Sequence, residues 1–85
     1  MKNKQRLKKR NAVDTKQSST TSLINYSEDM GVLEVEFVDG RVYHYKGVEL
    51  DKWEEYKEWV EEGRSSGYFL KKFIKPYYEA NELDD

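Results

Sequence analysis

The chain has 85 residues, 36% of them hydrophobic and 38% charged, with a net charge of −2. A chain of that length is one small domain that buries about 60–65% of its unfolded surface, so its core must be economical. There is no cysteine and only one histidine, His44, which excludes a disulfide scaffold and a cysteine-based metal site and makes zinc ligation a poor fit.

The near-neutral total conceals a split. Residues 1–17 carry seven basic side chains (Lys2, Lys4, Arg6, Lys8, Lys9, Arg10, Lys16) against Asp14, a net +6; the other 68 residues carry eight basic and sixteen acidic side chains, a net −8. Leu7, Ala12 and Val13 are the only apolar residues of the segment beyond Met1, too few to offset the entropy of ordering it, so residues 1–17 read as a disordered basic arm. No apolar run follows the basic stretch, as a signal peptide requires. Nothing approaches the roughly 20 apolar residues of a membrane span. The expected setting is the cytoplasm, without membrane contact.

From residue 18 the pattern changes. Thr20–Tyr26 is β-tolerant and reads as a first strand, and Ser27–Gly31 reads as a turn. Val32–Val38 alternates apolar and polar, the period of a half-buried strand. Asp39-Gly40 turns the chain, and Arg41–Lys46 returns as a third strand. A two-residue loop would set Glu36 opposite Tyr43 and Glu34 opposite Tyr45. A three-residue loop, Val38-Asp39-Gly40, with Gly40 left-handed in a bulge, sets Val35 opposite Tyr43 and Leu33 opposite Tyr45 instead. The second register gathers Leu33, Val35, Phe37, Tyr43 and Tyr45 on one face and leaves Glu34, Glu36, Val42 and His44 outside. It is the cleaner partition and the one expected.

Two helical patterns follow. Asp51 suits an N-cap with Glu54 three residues on, and Gly63 suits the residue after a helix end. Between them Trp53, Tyr56, Trp59 and Val60 form an apolar stripe, opposite Glu54, Glu55, Glu58, Glu61 and Glu62. In the second, Phe69, Leu70, Phe73, Ile74, Tyr77 and Tyr78 recur at helical spacing after a Ser65 or Ser66 cap, and Pro76 predicts a break near Lys75. The expectation is therefore an α+β domain over residues 18–80: a three-stranded antiparallel sheet followed by two helices packed on one face. Residues 81–85 are a fraying acidic end.

The stretches Leu33-x-Val35-x-Phe37, Gly40-x-Val42-Tyr43-x-Tyr45, Val48, Ser65-x-Gly67-x-Phe69 and Ile74 together resemble the KTSC domain, a short module found at the C-terminus of some lysyl-tRNA synthetases and as stand-alone proteins. The resemblance spans about residues 18–78. Glu49 departs from it, standing where the family usually has proline, and the basic arm lies outside it. It implies a fold more than an activity; RNA binding follows only from the synthetase context.

No catalytic signature stands out. The glycines fit neither a dinucleotide fingerprint nor a phosphate loop, and one histidine on a strand is a weak basis for acid–base work. The expected function is a non-catalytic binding module without a cofactor. It contacts RNA or another polyanion through Lys2, Lys4, Arg6, Lys8, Lys9 and Arg10, helped by Lys71, Lys72 and Lys75, with Tyr68 and His44 as stacking surfaces. An alternative is a phage-type sequestering protein that captures a nucleotide or other small phosphate ligand. Its site is built from Arg41, Tyr43, Tyr45, Arg64, Ser65, Ser66, Gly67 and Tyr68, with amides at the second helix's start. A third possibility is an inhibitor that docks on a host protein.

Overall fold

The computed structural model describes residues 6–15 and 18–83. Five strands form one antiparallel sheet in chain order: β1 (Val13–Asp14), β2 (Thr21–Ser27), β3 (Val32–Phe37), β4 (Val42–Lys46) and β5 (Ala80–Glu82). Between β4 and β5 the chain forms α1 (Leu50–Glu61) and the short α2 (Ser66–Phe69), which continues into a π-helical turn (Leu70–Ile74).

The α+β class, the antiparallel sheet and the two helices agree with the sequence reading; the strand number does not, being five rather than three. The added strands are two and three residues long, too short to show any alternation. They occupy what would otherwise be open sheet edges with unpaired amides and carbonyls. Val13 lies opposite Ile24, and Tyr43, His44 and Tyr45 lie opposite Glu82, Asn81 and Ala80. Parts of the segments read as a disordered arm and a fraying end are thus paired into the sheet.

The hairpin has the bulged register. Leu33 opposes Tyr45 and Val35 opposes Tyr43. The Phe37 amide donates to the Arg41 carbonyl (2.8 Å) and the Gly40 amide to the Phe37 carbonyl (2.9 Å). Gly40 has φ +95°, a conformation costly for any residue with a Cβ. Ile24, Tyr26, Leu33, Val35 and Tyr45 therefore share a core with Trp53 and Tyr56 of α1, Phe69 of α2, and Leu70 and Ile74 of the π-turn. Trp53 stacks on Tyr26 (centroids 5.4 Å apart, planes 8° apart) and Tyr56 on Phe69 (4.5 Å, 17°).

The opposite face of the sheet is not open, contrary to expectation. Glu34 and Val42 are buried, and Glu36 and His44 are half-buried. Residues 6–8 cross this face on hydrogen bonds. Arg6 donates to Glu34 (3.1 and 3.3 Å) and Glu36 (3.1 Å), the Leu7 amide to Glu34 Oε2 (3.0 Å), and Asn25 Nδ2 to the Lys8 carbonyl (3.0 Å). Apolar counting missed this cover because it is polar. The segment is held by a charged network rather than by buried hydrocarbon.

Helix α1 begins at Leu50 with Glu49 as N-cap and no side-chain cap bond, so Asp51 sits in the first turn instead of capping it, where its charge still complements the helix dipole. The end is as read. The Gly63 amide donates to the Val60 carbonyl and the Arg64 amide to the Trp59 carbonyl (2.9 and 3.2 Å), a Schellman motif. Ser65 caps α2, and the Lys75 amide closes on the Leu70 carbonyl at 2.8 Å. Pro76 has no amide with which to continue. Tyr77 and Tyr78 therefore fall past the helical stripe they were assigned to, and Tyr77 is 73% exposed. Among the described residues, every buried side-chain polar atom has a partner, and no helix is long and apolar enough to cross a membrane.

Candidate functional site

The bulged register sends Phe37, Tyr43 and Tyr45 toward the helical side, and the break at Pro76 turns the chain back along β4 as β5. Between the hairpin and residues 75–80 this leaves a cleft of about 470 Å³, lined by Phe37, Arg41, Tyr43, Tyr45, Lys75, Tyr78 and Ala80. Phe37 meets Tyr43 edge-on (5.5 Å, 87°), and Tyr43 and Tyr45 lie 6.5 Å apart at 30°. Tyr43 donates to Glu82 (3.3 Å) and Tyr78 to Glu49 (2.6 Å). Burial pushes the Tyr45 hydroxyl up, and the adjacent Tyr43 adds to the shift. Burial, with the Glu49 carboxylate next, raises Tyr78 to about 12. Both hydroxyls are neutral at physiological pH and offer hydrogen bonds, not charge. The cleft's positive charge comes from Arg41, which also holds Asp39 at 2.9 Å, and from Lys75, which is exposed. Lys75 has no side-chain partner among the described residues.

The two halves of the expected ligand set are separated by role. Arg41, Tyr43 and Tyr45 line this cleft. Arg64 instead lies over the Trp59 ring (4.3 Å), and Tyr68 stacks on Trp59 (5.8 Å, 9°). The Ser65 hydroxyl accepts from the Tyr68 amide (3.2 Å), and the Ser65 carbonyl accepts from Trp59 Nε1 (2.8 Å). Ser66 is buried, its hydroxyl bonded to Thr21 and Tyr56. A Cβ on Gly67 would lie 2.9 Å from Thr20 Oγ1, so glycine there serves a close approach of α2 to the residue that leads into β2. With α2 only four residues long, the Ser65-Ser66-Gly67 turn reads as a joint of the fold.

The nucleic-acid set is scattered too. Lys2 and Lys4 lie outside the described residues. Arg6 is spent on Glu34 and Glu36, while Lys8, Lys9 and Arg10 are exposed. Lys71 and Lys72 are exposed on the π-turn, with Lys72 5.9 Å from the Tyr68 ring. His44 is not a stacking surface, because its Nε2 is 2.9 Å from Glu34 Oε2 on the face that residues 6–8 cover. Phe37, Tyr78 and Ala80 were not among the sequence candidates. The run Tyr77-Tyr78 looked helical, and nothing in the sequence marks an alanine as a cleft wall.

The KTSC domain family model matches residues 17–78. The chain belongs to the KTSC domain family. A comparison with curated proteins found no match. The matched span takes in β2–β4, both helices and most of the cleft lining, including the Tyr43-x-Tyr45 pair. Ala80 of the cleft, the short outer strands β1 and β5 and the Arg6 clamp fall outside this KTSC span.

Proposed function

We propose that this KTSC domain is a non-catalytic module that binds single-stranded RNA, with the cleft between the hairpin and residues 75–80 as the base-reading point. One observation carries the reading: Arg41 and Lys75 share a cleft with the half-buried rings of Phe37, Tyr43 and Tyr78. Aromatic rings stack exposed bases for about 1–3 kcal/mol each, and adjacent cations take the phosphates. Residues 18–85 carry a net −8 and repel a polyanion as a whole, so attraction has to be local. Lys8, Lys9 and Arg10 supply further cations.

Capture of a free nucleotide is the second reading. It is favoured by the cleft's volume of about 470 Å³, within the roughly 300–1,000 Å³ of small-ligand sites. Fluorescence anisotropy with a labelled single-stranded RNA, competed by unlabelled mononucleotides, separates the two. RNA binding that weakens in Arg41→Ala and Lys75→Ala supports the first. Mononucleotides that compete as well as the oligomer support the second. Titrations flat for both ligands remove both readings.

A further inference from the structure

The other groove lies on the helical side, between α1 and the α2–π-turn segment, and its chemistry has the opposite sign. It measures about 380 Å³, with Trp59, Phe69 and Phe73 as its rings and Glu55, Glu58 and Glu62 along one flank. Those carboxylates stand at i, i+3 and i+7 along α1 and its C-cap Glu62, one stripe about 10 Å long at 1.5 Å per residue. Phe73 is 37% and neighbouring Tyr68 49% exposed, a contiguous aromatic patch on a domain this small. Lys52 and Arg64 also line the groove and pair with Glu55 (3.1 Å) and Glu62 (3.7 Å), so carboxylates exceed cations there by the one charge of Glu58, the wrong sign for a phosphate.

We infer that this groove is a docking site for a cationic segment of a partner protein, one that presents arginine or lysine to the rings while further basic residues meet the glutamates. The protein's own cations already mark the preference. Arg64 lies 4.3 Å from the Trp59 centroid, Lys52 5.9 Å from that of Phe73, and Lys72 5.9 Å from that of Tyr68. Each exposed ring of the patch is thus a cation–π acceptor. The occupant of Trp59 is held loosely: Arg64 is 3.7 Å from Glu62, and both side chains are 55% exposed. An incoming guanidinium takes the same position. The Glu58 carboxylate has no side-chain partner among the described residues, so a second cation finds an unspent charge on the residue that precedes Trp59. The inference is independent of the RNA reading, since it uses a different groove and a ligand of opposite charge.

The test is a titration of the full chain with a synthetic arginine-rich peptide, and with its glutamate counterpart as control, read by tryptophan fluorescence. Trp59 lines the groove and Trp53 is buried in the core, so a change in emission on binding reports chiefly on Trp59. The arginine peptide binds, salt weakens it, and the glutamate peptide does not bind. Glu58→Lys/Glu62→Lys, on the exposed side of α1, loses about tenfold or more in affinity with an unchanged circular dichroism spectrum. Arg64→Ala, which clears the Trp59 ring, binds the peptide more tightly, an effect that damage to the fold does not produce. Equal affinity for both peptides, or no loss in the double variant, overturns the inference. So does salt-sensitive self-association without peptide that disappears in Lys8→Glu/Lys9→Glu/Arg10→Glu. That result assigns the groove to a second copy of this chain.

Discussion

Thr21 and Ser66, 45 positions apart in the chain, meet in a buried hydrogen bond of 2.8 Å. Thr15 reaches Thr21 at 2.7 Å, and Tyr56 reaches Ser66 at 2.7 Å. Four hydroxyls in a row thereby tie the N-terminal segment, β2, α1 and α2 together where the helical layer meets the sheet. Burial pushes the Tyr56 phenol well above its ordinary range, against the pull of the Ser66 bond, so it stays neutral and donates. Ser66→Ala takes the acceptor from Thr21 and leaves a polar group short of a partner inside the protein. The expected cost is about 1–3 kcal/mol, measured as a drop in the urea midpoint at unchanged slope.

Trp53 is 3% exposed and lies flat on Tyr26. Trp53→Ala is expected to cost about 3–5 kcal/mol through the cavity it leaves. A domain of this size has roughly 5 kcal/mol in total, so the variant keeps about 0–2 kcal/mol and should melt tens of degrees below wild type. A cooperative melt within a few degrees of wild type contradicts that placement.

Glu34 gives the fold an acid limit. Burial drives its carboxyl up, but hydrogen bonds from His44, the Leu7 amide and Arg6, with the Arg6 charge, outweigh burial and bring it from 4.5 to about 2. The folded value is the lower one, so the ionised group stabilises the protein above about pH 4.5 and that contribution is lost as pH falls toward 2. Glu34→Gln should flatten this acid limb and release residues 6–8 from the sheet. Trypsin should then cut after Arg6, a bond that the wild-type clamp protects.

The legible part of this fold was the part with a period. Val32–Phe37 alternates, Gly40 permits only one comfortable bulge, and the tyrosines follow from the register. Gly63 and Pro76 announced where the helices end. The illegible part depended on contacts between distant polar residues. Glu34 looks like a solvated glutamate until Arg6 and His44 surround it, and neither is within nine residues of it. Strands β1 and β5 exist because an edge needs pairing, not because their own residues ask for it. The cleft was half legible: Arg41, Tyr43 and Tyr45 were candidates, but Lys75 was assigned to a separate patch. Only the chain reversal after Pro76 brings it to the hairpin.

Salt dependence tests the RNA reading at the N-terminal segment. Truncating residues 1–17 is the wrong instrument, because Arg6 clamps Glu34, Val13 pairs with Ile24 and Thr15 bonds Thr21, so its removal damages the fold. Lys8→Gln/Lys9→Gln/Arg10→Gln removes three exposed charges and leaves those anchors in place. Each phosphate contact to a single strand contributes about −0.7 to the slope of log affinity against log salt, so losing three should flatten it by about 2. The measurement is anisotropy with a short single-stranded RNA at several salt concentrations, with the triple variant beside wild type. A slope that flattens by that amount gives Lys8, Lys9 and Arg10 direct phosphate contacts. An unchanged slope shows that the contacts are made elsewhere, and Arg41→Gln and Lys75→Gln should then carry the loss, since those two cations stand at the rings.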